Sequence, residues 1–335
     1  MKKHKLLYTV LMAAALAASL LLSGCSDDSG QAYAYVLATA SPEDTVTQIF
    51  AEAFVSTVDE LSDGEIEIEI YSNSSLGSDT ELFESVTCGD IPFVIQNTAP
   101  QVSYLPRLCL FDLPMVFDDI EDLHVIMDTD EFIEKVNDIY AEKGITLLSM
   151  SDQNFRVMSS NVKVESLEDF SGIKIRTMEN SYHMAFWTAI GANPTPMSFS
   201  EVYIGLQQNT IDAQENPYEV IVSNKFYEQQ DYIIQTNHLP HILTLITNTE
   251  FMESLPEEDQ EILTTAAAYA SQVARMSAED RVEERIEICE EGGAEIVTLS
   301  DELIEEMREA CTDLYEEIRE VVADDDLYNM YIGAE

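Results

Sequence analysis

The sequence predicts an α/β protein of two units on a largely parallel sheet, and three observations predict it. Short apolar runs of strand length alternate with stretches of 3.6-residue periodicity, a β-α-β-α-β order. The chain has 335 residues, a length that suits two domains. One helical stretch, from Ser254 to Gly292-Gly293, continues for about 37 residues without a breaker, which is unusual for a single globular domain and predicts a helix spanning more than one.

The elements follow in order. Tyr33 to Thr39 reads as a strand, and Ser41-Pro42-Glu43-Asp44 supplies a helix N-cap, a first-turn proline and two acids suited to the helix dipole. Val46, Ile49, Phe50, Ala53, Phe54, Val58 and Leu61 then form one apolar helical face, closed near Asp63-Gly64. Glu65 to Ile70 alternates strictly, as a half-buried strand does. A helix is expected from Ser78-Asp79 to Gly89, a strand from Ile91 to Gln96, a helix from Glu121 to Glu142 and a strand from Ile145 to Met150.

A second unit begins with the strand Phe155 to Met158. It passes a turn ending at Gly172, the strand Ile173 to Arg176 and a helix from Asn180 to Ile190. Ser198-Phe199-Ser200-Glu201 and Ser254-Leu255-Pro256-Glu257 have the capping-box pattern and predict two further helix starts, the first running to Asn209. Strands at Ile211 to Glu215 and Glu295 to Leu299 and a last helix from Asp301 to Val322 complete the chain.

The N-terminus carries a Lys-rich start, an apolar run from Leu6 to Leu22, and then Leu22-Ser23-Gly24-Cys25. That is a secretory signal rather than a membrane span. It resembles a bacterial lipoprotein signal, which implies cleavage before Cys25 and a lipid on its thiol. Residues 1–24 are therefore expected to be removed, and 25–31 to form a polar tether.

Sixteen Lys plus Arg against 64 Asp plus Glu give a formal charge of −48. Phosphate binding needs clustered cations, so nucleic acid is excluded as a partner. The acids are read as solvated faces that keep an exported protein soluble. Cys88, Cys109, Cys289 and Cys311 contain no C-x-x-C, prescribe no pairing and no zinc site, and are expected to be buried and free.

Enzyme signatures are missing: no G-x-S-x-G elbow, no P-loop and no G-x-G-x-x-G. His124, His183, His238 and His241 lack the spacing of a zinc helix and are read as structural or surface residues. No metal, cofactor or catalytic residue is expected. Arginine is the informative type. Arg176 ends one apolar strand, and Arg156 lies twenty residues earlier at the start of another. A guanidinium at a strand end of an α/β sheet can grip a ligand carboxylate through two parallel hydrogen bonds. It can instead pair with one of the 64 acids, and position alone favours that pairing.

Gly172-Ile173-Lys174-Ile175-Arg176, Gly191 to Met197, Phe199-Ser200-Glu201-Val202-Tyr203 and Asp212-Ala213-Gln214-Glu215-Asn216-Pro217 occur in this order and spacing. Together they resemble the solute-binding subunits of tripartite ATP-independent periplasmic (TRAP) transporters, and the likeness covers nearly the whole mature chain. The resemblance implies a two-lobed clamshell fold with strands crossing between lobes and one long bracing helix. The expected lobes are 32–153 with 242–281, and 154–241 with 282–335.

The resemblance also implies site roles. Arg176 is expected to bind the ligand carboxylate, Arg156 to assist, Asn216 to hydrogen-bond the same end and Phe199 to wall the pocket. Asp79 is expected either to touch ligand hydroxyls or to serve only as a helix N-terminal acid. Two departures stand out: Ala213 where the family usually has glycine, and Pro92 where it usually has an acid.

The implied function is extracytoplasmic capture of a small organic acid by a lipid-anchored monomer that works with TRAP membrane subunits. The Pro194-Thr195-Pro196-Met197 form leans toward a sugar acid over a C4-dicarboxylate or related hydroxy or keto acid. The rivals are a ligand-presenting subunit for a sensor kinase or ABC importer, and a lipid-anchored hydrolase using Asp212 or Glu215 with His183.

Overall fold

The computed structural model describes residues 33–334, so the expected signal, Cys25 and tether lie outside it. Nine strands form one sheet: β1 Tyr33–Ala38, β2 Ile66–Tyr71, β3 Phe93–Asn97, β4 Ile145–Ser160, β5 Lys174–Thr177, β6 Asn193–Pro196, β7 Ala213–Asn216, β8 Tyr232–Asn248 and β9 Glu295–Thr298. The order is β2-β1-β3-β8-β4-β7-β5-β6, with β9 on β8. Outer pairs such as β1–β2 and β5–β7 are parallel, as the alternating helices require. The centre is antiparallel, a departure from the largely parallel expectation, because β8 runs against both β3 and β4.

The centre explains how two halves share one sheet. β4 has 16 residues and β8 has 17, each about 50 Å long at the strand rise. Leu243 to Thr247 of β8 pair with β3 in the first half, whereas Tyr232 to Gln235 pair with β9 in the second. The expected strands Ile145 to Met150 and Phe155 to Met158 are thus one crossing strand. The ladder breaks where it crosses: Asp152 faces Ile242 and Phe155 faces Pro240, so Gln153 and Asn154 bulge opposite His241. Asn154 takes φ +65° there.

The long helix is Glu257–Glu291, 35 residues and about 52 Å. Its buried positions include Leu263, Ala266, Ala267, Ala270, Ala274 and Ala278, spaced by threes and fours. This alanine stripe lets the helix approach Val46–Leu61, whose Phe50, Phe54 and Val58 join the same core. Farther along, Arg281 and Arg285 hold Asp44 at 2.7 and 2.8 Å and Glu219 at 2.8 and 2.9 Å, tying elements of both halves to one rod.

Several boundaries differ from expectation for local reasons. Thr45, not Ser41, caps the first helix, accepting from the Gln48 amide. The Ser198 and Ser254 boxes do not form. A 3-10 turn, Phe199–Glu201, precedes the helix Val202–Gln207, and the Ser254 hydroxyl instead donates back to the Phe251 carbonyl at 2.7 Å. The stretch 121–142 is two helices, Ile120–Met127 and Asp130–Ala141, parted by the extended backbone of Thr129. The last helix likewise divides at Cys311 into Asp301–Ala310 and Thr312–Val322, and Asp325–Tyr331 adds an unexpected turn of helix. Cys109, Cys289 and Cys311 are buried and free, while Cys88 is free but exposed. No helix of the described residues is long and apolar enough to cross a membrane.

Candidate ligand-binding site

A cleft partly open to solvent lies between the halves. Ala40, Ser41, Asp79 and Asn97 line it from the first half, and Arg176, Met178, Phe199, Asn216 and Val220 from the second, with His241 on the crossing strand β8. The structure therefore brings four of the sequence-expected residues, Arg176, Asn216, Phe199 and Asp79, to one space. Arg156 lies behind it.

Arg176 is placed by β5, wedged between β6 and β7 through pairs with Thr195 and Gln214. The left-handed Gly172, at φ +79°, makes the turn that starts this strand. Only 1% of the residue is exposed. Its Nε and Nη2 donate to the Met197 carbonyl at 3.0 and 2.7 Å, which fixes the plane of the fork. Nη1 is buried and has no hydrogen-bond partner among the described residues. Burial pulls this guanidinium down to about 10, partly offset by Glu215, so it stays protonated at neutral pH.

Arg156 is equally buried but fully engaged. Nη2 donates to the Glu215 carboxylate at 2.9 Å, to the Glu215 carbonyl at 2.6 Å and to the Asn216 Oδ1 at 3.1 Å. Its Nε meets the other Glu215 oxygen, and Nη1 meets Nδ1 of His241. Arg156 is not among the residues that line the cleft. Its donors go to the protein, so it holds Asn216 and His241 in place.

Glu215 is the hub of this network. Burial alone would push its carboxyl up, yet Arg156, His183 and His238 hold it well below the usual range. His238 Nε2 lies 3.1 Å from one oxygen. His183 sits 3.8 Å from the other while its Nε2 contacts Asp112 at 3.0 Å. The histidines are buried structural groups rather than surface ones, and His238 stacks on Phe186 at 5.2 Å. Among the described residues, no group of three or more His, Cys, Asp or Glu is placed to hold a metal ion.

The hydrolase reading loses its geometry. Asp212 accepts from the Lys174 amide at 3.0 Å, Glu215 is locked in its ion pair, and neither they nor His183 line the cleft. Trp187 is fully buried against Phe170, Phe186 and His238, away from the cleft wall. Ala213 pairs normally with Ser160 and Ile175 and needs no left-handed backbone, so glycine is dispensable there.

Asp79 stands at a helix start and at the cleft wall at once. It begins the helix Asp79–Cys88 behind a Ser78–Glu81 capping box, and it also faces the cleft. Burial raises its carboxyl to about 6, with Arg176 pulling the other way and Glu179 adding to the rise. Sequence reasoning did not assign Glu215 as the counter-ion of Arg156, nor His241 to the cleft. The only signal for Glu215 was an acid directly before Asn216. His241 carried none, because strand β8 itself was not anticipated.

The family model for bacterial extracellular solute-binding protein family 7, DctP, matches residues 37–321. The chain belongs to the TRAP solute-binding family. Among relatives of this family, the sialic acid-binding periplasmic protein SiaP of Vibrio cholerae is 31% identical over 80% of this chain and 82% of its own. The ectoine-binding periplasmic protein TeaA of Halomonas elongata is 30% identical over 97% of this chain and 94% of its own. The sugar acid-binding protein DctPAm of Advenella mimigardefordensis, solved with galactonate, superposes with TM-score 0.86 at 26% identity, covering 90% of this chain and 99% of its own. The two halves here are thus the two lobes of a TRAP solute-binding protein, joined by β4, β8 and the long helix.

Proposed function

We propose that the protein captures a polyhydroxy monocarboxylic acid, a sugar acid of the uronate, aldonate or sialate kind, outside the cytoplasm. It delivers this cargo to TRAP membrane subunits while a lipid on Cys25 holds it to the membrane, and it does no chemistry on it. The observation that carries this reading is the buried Nη1 of Arg176, a charged donor without a partner at the cleft. Such a group is costly unless something occupies it, and a ligand carboxylate fits it in charge and geometry. Asn216 and Phe199 then flank the bound acid.

Charge distribution favours one carboxylate over two. Arg176 is the only Lys or Arg among the lining residues, Arg156 is already balanced by Glu215, and Asp79 stands on the opposing lobe. A second carboxylate would meet Asp79, whereas a hydroxyl can pair with it whether that carboxyl is ionised or protonated. Isothermal titration with D-galactonate, D-galacturonate, sialic acid and succinate tests this. A sugar acid is expected to bind at least tenfold tighter than succinate; succinate binding tightest, or no acid binding, would overturn the reading.

A pH dependence follows. A sugar acid is ionised throughout pH 5 to 8, and its one negative charge offsets the pull that Arg176 exerts on Asp79. That change raises Asp79 further. Binding then takes up protons wherever Asp79 is ionised in the free protein. Affinity is expected to fall as pH rises from 5.5 to 7.5, and Asp79→Asn to flatten the profile; an unchanged slope in that variant would exclude Asp79 as its source.

A further inference from the structure

We propose that His241 is a specificity residue for this ligand, a neutral imidazole locked in the Nε2–H tautomer that donates a hydrogen bond to an oxygen of the acid other than its Arg176-bound carboxylate. The inference rests on the cleft being the ligand site. Its first step is a question of which ring nitrogen holds the proton.

Arg156 has only hydrogens to offer. Its Nη1 contacts Nδ1 of His241, so that nitrogen must present a lone pair. A neutral ring with a lone pair on Nδ1 carries its proton on Nε2. Protonating Nδ1 as well would break this contact and set two cations against each other in a buried place. The other charged groups near the ring are Glu215, already bound to Arg156, and His183, which faces Glu215 and Asp112. Neither replaces the lost contact, and burial together with Arg156 accordingly keeps His241 well below its ordinary range.

The second step is where Nε2 can go. His241 lines the cleft, its residue is 6% exposed, and among the described residues its ring makes no hydrogen bond besides the one to Arg156. The Gln153–Asn154 bulge interrupts the β4 ladder opposite this residue. The chain of contacts from Glu215 through Arg156 to His241 thus aims a fixed donor at the cargo, and the same Arg156 anchors Asn216 through its Oδ1. One buried ion pair therefore pre-sets two ligand-facing groups, which removes an ordering cost from binding. The ligand atom opposite Nε2 must be an acceptor: a hydroxyl, keto or ring oxygen.

Two measurements test this. Nitrogen-15 spectra of the unliganded protein, with His241 assigned through His241→Gln, are expected to show Nδ1 bare and Nε2 protonated at pH 7. Nδ1–H or an imidazolium would overturn the proposal, and this arm needs no ligand. Titration with D-galactonate is expected to show His241→Phe weakened by about 10- to 100-fold, the loss typical of an unmatched buried polar partner. His241→Gln, which keeps an N–H at similar depth, should recover most of it. His241→Phe binding as wild type, or His241→Gln binding no better than His241→Phe, would sink the assignment. Wild-type protein binding none of the four acids while its Nε2 remains protonated would instead count against the proposed function.

Discussion

Arg176→Ala is expected to abolish measurable capture of a sugar acid, at a cost of about 2 to 5 kcal/mol, or roughly 30- to several-thousand-fold. The residue supplies a buried, charged donor in the cleft that no described residue pairs. Burial at Arg176 lowers the local dielectric, so an ion pair there is worth several times its value in water. Arg176→Lys keeps a charge but cannot hold the Met197 carbonyl and both carboxylate oxygens together, since an ammonium lacks the planar fork. It should rank close to alanine. The unliganded protein tells the complementary story. Arg176 is a buried cation whose ordinary range is already depressed, so Arg176→Met should melt no lower than wild type while losing the ligand. Calorimetric titration and thermal melts on the three variants decide it: full affinity in Arg176→Ala would remove this arginine from the site.

Glu215→Gln should be the most damaging single change to the fold. It strips Arg156 of its counter-ion inside a site where both side chains are essentially unexposed. Leaving one member of a buried pair uncompensated costs about 3 to 5 kcal/mol. His238 loses a charged partner at 3.1 Å, and the 3.8 Å ionic contact of His183 loses its negative charge, at the same time. Urea unfolding should report this loss, and a double variant, Arg156→Met with Glu215→Leu, should recover much of it. A double variant as unstable as the sum of the singles would show that the pair does not act as a unit.

The pair also sets a pH limb. Glu215 is held well below the usual carboxylate range, so its contribution is complete above the unfolded value and lost as pH falls through the folded one. His183 has the opposite sign. Burial disfavours its charge, but Asp112 and Glu215 win and raise it, so its contribution fades as pH rises through the folded value. The acid limb should be shallower in Glu215→Gln, the remainder coming from Glu81, Asp169 and Asp324, which are also held low.

Most local elements could be read in advance because their causes are local. The alternation Glu65 to Ile70, the apolar face from Val46 to Leu61 and the unbroken run to Glu291 each depend on neighbours a few residues away. The boundaries that moved did so where a competing local bond won, as when the Ser254 hydroxyl turned back to Phe251 instead of capping the long helix. Strand β8 was not anticipated because it is buried on both faces along most of its length. It therefore lacks alternation, and His238 and Pro240 interrupt its apolar character.

By itself the sequence determined the class of protein, the long brace and the identity of Arg176 as the candidate anion grip, since these rest on spacing and on a family pattern carried by contiguous residues. Only the tertiary structure decided which arginine is free. Arg156 and Arg176 sit on similar strands, yet one meets Glu215 across 59 residues of chain and the other meets only a carbonyl. With 64 acids to choose from, counter-ion choice is a long-range event set by strand order and register. The same holds for His241: its contact with Arg156 and its place on the cleft wall come from two strands crossing at a bulge.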